Sequence, residues 1–419
     1  MSLTMREKQA VTRQLAMEYR RATKKQKGSI LDTLTELAGY NRSYAARVLR
    51  QRAKYVVLGR GVAQGVKVTL VEDERTKRKK KKRKRTGVYD KKVFAALKKV
   101  WVICDGICGK RLAPFLPEIV TVLERWGELI LDKEIRSKLI SISPATIDRM
   151  LAPARKGYQL RARTQTKPGT LLKHQIPIRT FSDWDDLRPG FVEIDLVSHE
   201  GGNARGDYAF TLDATDVCTG WTETEAVRNK AEKWVFAGLQ KAKARFPFDI
   251  IGIDSDNGSE FINNHLYRYC TQNKITFTRS RPYRKNDNCF VEQKNYSIVR
   301  RAVGYRRYDT PGELQALNEL YAVLRLYTNF FQPSMKLIEK TRIGSKVRKK
   351  YDKAKTPYCR VLESGFIADE AKKELEKLYA TLNPAKLNRE VNRLQDRLEE
   401  IGETKHKAEQ EVNLEYIST

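Results

Sequence analysis

The stretch FDIIGIDSDNGSEF, residues Phe248–Phe261, decides the fold of its surroundings. Its first half is almost wholly apolar, which is typical of a β-strand that is covered on both faces. The run ends at Asp256, and Asn257-Gly258 then turns the chain. The sequence therefore predicts a buried strand that delivers a carboxylate to its end.

Further strands lie on both sides of this one. Three β-rich runs precede it, and a short run follows it: FVEIDLVSH, DYAFTLDATD, CTGWTETEAV and ITFTRS. Apolar spacing predicts helices after the third, fourth and fifth strands, the last of which carries Glu292. The order βββαβαβα predicts a ribonuclease-H-like α/β core over residues 186–305, with three antiparallel strands extended by parallel ones.

Three carboxylates of this region are candidate ligands of divalent metal. Asp195 lies in the first strand, Asp256 ends the fourth, and Glu292 lies on a helix able to lean over that edge. Catalytic groups of such sheets gather near the strand ends, and Mg²⁺ prefers oxygen ligands. Spacing alone does not select these three, because other acids lie nearby: Glu193, Asp213, Asp216, Asp254, Glu260 and Asp287.

A resemblance to a known family selects three of these acids. DSDNGSEF, followed thirty-five residues after Asp256 by VEQKN, resembles the catalytic core shared by retroviral integrases and bacterial insertion-sequence transposases. Asp256 matches the acid of the family's DNG motif, Glu292 and Asn295 match its VExxN helix, and Asp195 in EIDLV matches its first acid. Outside the core, NFFQPSMKL and KVRKKYDKAKTPY are most similar to the bacterial transposases.

The resemblance implies a DDE transposase, that is, a polynucleotidyl transferase and endonuclease. It would bind terminal inverted repeats, hydrolyse the phosphodiester at the element end and join the 3′-hydroxyl to target DNA. Asp195, Asp256 and Glu292 would be both catalytic residues and metal ligands. They would hold two Mg²⁺ ions, with Mn²⁺ as a substitute, about 3.5–4 Å apart. Two alternatives stay open: a structure-specific nuclease of the same fold, and a non-catalytic DNA-binding regulator.

The chain departs from the family pattern at two places. It has no histidine before His174, so the N-terminal zinc module of retroviral integrases is absent. Position 299 is valine where the family often has a DNA-contacting lysine, and Lys294, Arg300 and Arg301 are the nearest substitutes.

The charge of the chain points to a polyanionic partner. The net charge is +31, and positions 1–100 contribute +21 of it, from 29 basic and 8 acidic residues. Such an excess favours double-stranded DNA, both element ends and target. No apolar run approaches the ~20 residues that a membrane helix requires. We expect a protein of the bacterial cytoplasm, associated with the nucleoid, that acts as a homodimer or larger homo-oligomer because two DNA ends must be held together.

Helical segments flank the predicted core. Residues 1–60 predict a helix-turn-helix DNA-binding module, with Arg42, Arg47 and Arg50 on its last helix. Residues 61–89 predict a basic linker, and residues 90–155 a second helix-turn-helix-like module in which Ser143-Pro144 starts a helix carrying Arg149. Residues 156–185 predict another linker, and residues 306–419 a basic and helical C-terminal region. There Leu387, Val391, Leu394, Leu398 and Ile401 follow heptad spacing, which leaves open a helix pairing or docking on the chain's own core.

The predicted DNA contacts outside the triad are all basic or amide side chains. They comprise Arg42, Arg47, Arg50, Lys77, Arg78, Lys79, Lys80, Lys81, Lys82, Arg83, Lys84, Arg85, Arg149, Arg281, Arg284, Lys285, Lys294, Asn295 and Arg300.

Overall fold

The computed structural model describes residues 3–52, 56–60, 66–70, 89–155, 188–255, 260–261, 264–279, 289–343 and 346–418. The chain divides into two units, Met1–Thr86 and Gly87–Thr419.

The N-terminal unit is built from three helices, α1 (Met5–Arg21), α2 (Lys24–Ala38) and α3 (Arg42–Arg52). Gly39 ends α2 in the left-handed region, with φ of 64°, where a residue without Cβ is favoured. The side-chain oxygen of Asn41 then accepts from the Ser43 amide at 2.9 Å, which caps the start of α3. The predicted sequence of helix, glycine turn and basic helix is therefore present.

A small apolar core holds these helices together and orients α3. Ala16, Leu34, Ala38, Ala45 and Leu49 are buried in it. The three arginines that the sequence places on the solvent side of α3 are exposed: Arg42, Arg47 and Arg50.

A β-hairpin follows, and it was not predicted. Strands β1 (Val56–Arg60) and β2 (Val66–Leu70) pair antiparallel across the boundary that the sequence places after residue 60. The β-branched alternation of VKVTL accounts for it, since the charged run begins only at Lys77. The predicted DNA contacts Lys77–Arg85 lie outside the described residues.

Four helices open the larger unit: α4 (Lys91–Ile103), α5 (Gly109–Arg125), α6 (Lys133–Ile140) and α7 (Pro144–Arg155). The Ser143 hydroxyl accepts from the Thr146 amide at 3.3 Å, so the predicted Ser-Pro helix start is confirmed. These helices share one apolar core with the rest of the unit. Polar contacts add to it: the Tyr327 hydroxyl donates to the Ile103 carbonyl at 2.5 Å, and the Trp126 indole to the Leu382 carbonyl at 2.9 Å.

The central sheet has five strands, β3 (Phe191–Ser198), β4 (Phe210–Asp216), β5 (Thr222–Val227), β6 (Gly252–Ser255) and β7 (Thr276–Arg279). Their order is β5-β4-β3-β6-β7. The pairs β5/β4 and β4/β3 are antiparallel, and β3/β6 and β6/β7 are parallel. The predicted α/β core, three antiparallel strands extended by parallel ones, is confirmed.

Helices of the core connect and cover this sheet. Helix α8 (Glu232–Lys243) packs on β4 and β5, and α9 (Asn264–Gln272) packs on β7. Helix α10 (Cys289–Lys294) packs on β3 and β4 and continues into a π-helical segment, Asn295–Arg300, and a last turn, α11 (Arg301–Val303). Such π-helical segments occur often at functional sites.

The C-terminal region completes the larger unit. It comprises α12 (Pro311–Phe331), a hairpin of β8 (Leu337–Ile343) and β9 (Lys346–Tyr351), and helices α13 (Pro357–Glu363), α14 (Asp369–Thr381) and α15 (Pro384–Ser418). Val391, Leu394 and Leu398 of α15 are buried in the common core, and α15 packs along α12. Of the two possibilities that the heptad spacing leaves open, docking on the chain's own core is the one observed. In the described part of the chain, no helix has the length and apolar character needed to span a bilayer.

A buried ionic cluster joins β5 to the helices beside it. The Glu223 carboxylate is fully buried and accepts from Arg325 at 2.6 and 2.8 Å, from Arg245 at 3.0 Å and from the Trp221 indole at 2.8 Å. Burying a charge is costly unless it is paired. The three donors together offset the cost of removing the Glu223 carboxylate from water.

We therefore predict that Arg325→Met lowers the free energy of unfolding by about 3 kcal/mol, the range typical of removing one partner of a buried pair. Urea unfolding followed by tryptophan fluorescence measures the change. Arg228→Met, at an exposed arginine of the same sheet edge, is the control and should change it little. Equal effects of the two substitutions would refute a stabilising role for the cluster.

Candidate active site

Asp195 lies in β3 with both carboxylate oxygens engaged. Its Oδ1 accepts from the Leu196 amide at 2.8 Å, and its Oδ2 accepts from the side-chain amide of Asn295 at 2.6 Å. Each carboxylate oxygen has more than one acceptor position, so these bonds orient the group and leave it able to bind a further ligand. The contact joins the strand of EIDLV directly to the segment of VEQKN.

Asp213 stands opposite Asp195 in the register of β3 and β4. Directly opposed residues share one face of a sheet. Asp213 is fully buried, and its Oδ2 has no hydrogen-bond partner. The pKa of Asp213 is raised to about 8, chiefly by burial; the Lys294 charge opposes this shift and the neighbouring Asp195 charge adds to it.

Glu193 lies two residues before Asp195 and caps α10. Its Oε2 accepts from the backbone amides of Phe290 and Val291, both at 3.0 Å. These are among the first amides of the helix, which have no partner within the helix itself. Burial raises the pKa of Glu193 to about 8, and the two amide bonds counteract that shift.

The opposite end of α10 is tied to the sheet through Lys294. Its ammonium donates to the Gly220 carbonyl at 3.2 Å, in the turn between β4 and β5. Burial lowers the pKa of Lys294 to about 8, and the Asp213 carboxylate opposes that shift. Lys294, a predicted DNA contact, is therefore an internal partner of the acidic face in this structure.

Glu292 is exposed on the same helix. Residues three positions apart on a helix are neighbours, with about 5–6 Å between Cβ atoms, so Glu292 lies next to Asn295 and thus near Asp195. The Glu292 charge also contributes to the raised pKa of Glu193. Helix α10 thus brings the predicted third acid to the face that carries the first.

Asp256, the predicted second acid, lies outside the described residues. Ser255, which precedes it, ends β6 and pairs with Ile194, which precedes Asp195. Asp254 is the alternative to Asp256 as the second acid. It is buried, it is the register partner of Glu193, and it accepts a hydrogen bond from the Thr278 hydroxyl. Within the ranges that the structure describes, no three Asp, Glu, His or Cys side chains form a metal-binding group.

The remaining predicted contacts all belong to the larger unit. Arg149 is exposed on α7. Arg300 donates to the carbonyls of Ser198 at 2.8 Å and Gly304 at 3.2 Å, and Val299 is fully buried. Asn295, also predicted to contact DNA, holds Asp195. Arg281, Arg284 and Lys285 lie outside the described residues.

Glu193 and Asp213 have partners in this site that were not predicted from the sequence, although the sequence contains signals for both. In EIDLV, alternation places Glu193 on the face of Asp195. In DATD, the antiparallel pairing brings Asp213 opposite Asp195. The capping of α10 by Glu193 has no signal of its own, because it depends on where a helix about a hundred residues later begins.

Known proteins similar to this chain share the region of the central sheet. Residues 187–285 match the family model described as integrase core domain. The catalytic core domain of HTLV-2 integrase in complex with magnesium is 14% identical and covers 36% of this chain and 92% of its own, with a TM-score of 0.27. That of BIV integrase is 16% identical and covers 45% of this chain and 97% of its own, with a TM-score of 0.28. Scores this low add nothing to the description of the site.

The integrase core domain, on a sheet of this order, places the chain in the class of integrase-like DDE transposases, as the resemblance predicted. The uncharacterized protein y4rM of Sinorhizobium fredii is 40% identical over 342 residues, which are 82% of this chain and 91% of that protein. The chain belongs to the family of y4rM.

The start of α10 is held by the hydrogen bonds that Glu193 accepts from its first amides. Glu193→Ala leaves the amides of Phe290 and Val291 without an acceptor, which costs about 1–3 kcal/mol. We expect hydrogen exchange at these two amides to accelerate about tenfold or more, whereas Glu193→Gln, which keeps an acceptor oxygen, has a smaller effect. Glu232→Ala, at an exposed acid of α8, is the control. Unchanged exchange in Glu193→Ala would show that the carboxylate does not hold the helix.

Proposed function

We propose that the protein is a transposase that cuts the phosphodiester at the ends of a DNA element and joins the freed 3′-hydroxyl to target DNA. The observation that carries this proposal is the 2.6 Å bond from Asn295 to Asp195, which places the VEQKN helix over the EIDLV strand. Combined with the integrase core domain, it supports one site built from Asp195, Asp256 and Glu292.

The donors of this site suit Mg²⁺ or Mn²⁺. All three are carboxylates, which are hard oxygen ligands. The unpartnered Oδ2 of Asp213 lies on the same face, so the site has acceptor capacity that the protein's own donors do not fill. We propose that Asp195, Asp256 and Glu292 hold two ions. When bound, such ions activate the attacking oxygen and stabilise charge on the leaving oxygen.

The chain's own residues would orient this site. Asn295 fixes the carboxylate of Asp195, and the Glu193 cap fixes the start of the helix that carries Glu292. Lys294 supplies a positive charge behind Asp213. Preorganised groups need no rearrangement at the moment of reaction, so these contacts favour catalysis without touching the DNA.

DNA would be delivered by the basic parts of both units. We propose that α3 enters the major groove at the terminal inverted repeats and that Lys77–Arg85 contact phosphates. Arg149, Arg281, Arg284 and Lys285 would hold DNA nearer the core. A homodimer or larger assembly would hold two ends together, and the substrate places the protein at the bacterial nucleoid.

The triad is tested with a labelled duplex from the inverted repeats that flank the gene, a supercoiled target and Mg²⁺. We expect wild-type protein to cut and join. Asp195→Asn, Asp256→Asn and Glu292→Gln should each reduce both steps at least about 100-fold, since metal ions stabilise the transition state by several kcal/mol.

The control is Asp207→Asn, at an exposed acid of the same domain, which should leave both steps unchanged. Activity retained in Asp256→Asn would refute the assigned site. Cutting without joining by wild-type protein would identify a nuclease instead, and metal-independent binding without either step would identify a regulator.

A second test concerns α3. If this helix contacts bases, Arg47→Ala/Arg50→Ala should weaken binding to the terminal repeat by about 1–3 kcal/mol per base contact while changing nonspecific binding less. Fluorescence anisotropy on repeat and scrambled duplexes measures both affinities.

Lys24→Ala/Lys25→Ala removes the same charge from exposed positions of α2 and is the matched control. This control variant should lose affinity for the repeat duplex and for the scrambled duplex to the same extent. If the α3 variant behaves like this control, α3 contributes charge and not sequence selectivity.

A further inference from the structure

The hairpin of β8 and β9, which we call the basic ribbon (residues 337–351), carries an unusual density of positive charge. Its fifteen residues, LIEKTRIGSKVRKKY, include six basic side chains and one acid. The other five strands of the larger unit lie in the central sheet, whereas these two pair only with each other among the described strands. None of its residues belongs to the proposed triad or to the contacts predicted from the sequence.

The basic ribbon buries almost nothing. Every one of its side chains that the structure describes is exposed, including the apolar ones of Leu337, Ile338, Val347 and Tyr351. An isolated two-stranded hairpin is marginally stable in water and usually needs a further surface to pack on. The described side chains of the ribbon are therefore accessible to a partner.

The register of the ribbon indicates the charge of that partner. Lys340 is the partner of Lys349, Arg348 is the partner of Thr341, and Lys350 is the partner of Glu339, the one acid of the ribbon. Like charges that directly oppose each other destabilise a strand pair. A polyanion lying along the ribbon would remove this repulsion, whereas an apolar or cationic partner would not.

The base of the ribbon is fixed next to the candidate active site. The amide of Lys336 donates to Asp352 at 2.6 Å, and Asp352 pairs with Arg360 at 2.7 Å. The Lys336 ammonium donates to the carbonyls of Val217 and Cys218. These residues belong to the β4–β5 turn, whose Gly220 accepts from Lys294 of α10. One turn thus supports both the ribbon and the helix of Glu292.

We propose that the basic ribbon inserts into the major groove of double-stranded DNA beside the cleavage site. The major groove, about 12 Å wide, admits a two-stranded β-ribbon. Seven residues of strand span roughly 23 Å, which corresponds to about seven base pairs. This inference rests on the proposed function, which it deepens by naming a second DNA contact within the larger unit.

The test compares the full chain with the variant Arg348→Ala/Lys349→Ala/Lys350→Ala on a random 30-base-pair duplex in EDTA. We expect affinity to fall about tenfold near physiological salt. The slope of log affinity against log salt should become shallower by up to about 2.7, because each lost phosphate contact removes about 0.9. Since the three side chains are exposed, the melting temperature should not change.

The matched control, Lys373→Ala/Lys377→Ala/Lys386→Ala, removes three exposed cations from α14 and α15 and should retain wild-type binding. A duplex whose cytosines carry glucosylated hydroxymethyl groups has a filled major groove, so the difference between wild type and the ribbon variant should disappear on it. An undiminished difference there, or an equal loss of affinity for single-stranded DNA, would overturn the inference.

Binding in EDTA separates this inference from the proposed function. A chain that loses duplex affinity in the ribbon variant but never cuts DNA would refute the proposed function alone. If wild-type protein cuts DNA and the ribbon variant binds the duplex as well as wild type does, only the proposed insertion of the ribbon into DNA would be refuted.

Discussion

The candidate active site depends on the attachment of helix α10 to strand β3. Glu193 accepts from two amides at the start of the helix, and Asn295 donates to Asp195 just after its end. The two anchoring residues on β3 are only two positions apart, so a single strand fixes a helix of six residues at both ends. Short helices are marginal on their own, and the direction of α10 therefore follows from these tertiary bonds.

The same attachment explains how the sheet tolerates several acids on one face. A buried carboxylate requires a donor or a positive charge nearby, and α10 with the residue after it supplies a different one to each acid. Glu193 receives backbone amides, Asp195 receives the Asn295 amide, and Asp213 faces the charge of Lys294. Glu292 is exposed on the helix. The acids with these internal partners thus lie on β3 and β4, and the helix that supplies the partners carries the exposed acid.

Much of this arrangement follows from the sequence, since strand order and strand ends depend on local apolar patterns and turns. The five-strand core, Asp195 in its strand and Glu292 on a helix were all predictable in this way. Asp254 and Asp256 were not separable by alternation, because residues two positions apart in a predicted strand share a face; in the structure Asp254 is buried and accepts from the Thr278 hydroxyl. The Glu193 cap and the internal partners of Lys294 and Arg300 were not predictable, because they join residues distant in the chain.

These internal partners determine which basic side chains near the site are able to contact DNA. Near Glu292, Val299 is buried, Lys294 bonds to the β4–β5 turn, and Arg300 bonds to the end of β3. Cations that stabilise the core cannot contact phosphates without giving up these bonds. A core that uses its nearest positive charges internally needs others from flanking elements, and the basic ribbon is attached to the same turn that Lys294 contacts. The support of the catalytic helix and the position of the ribbon are therefore consequences of one local arrangement.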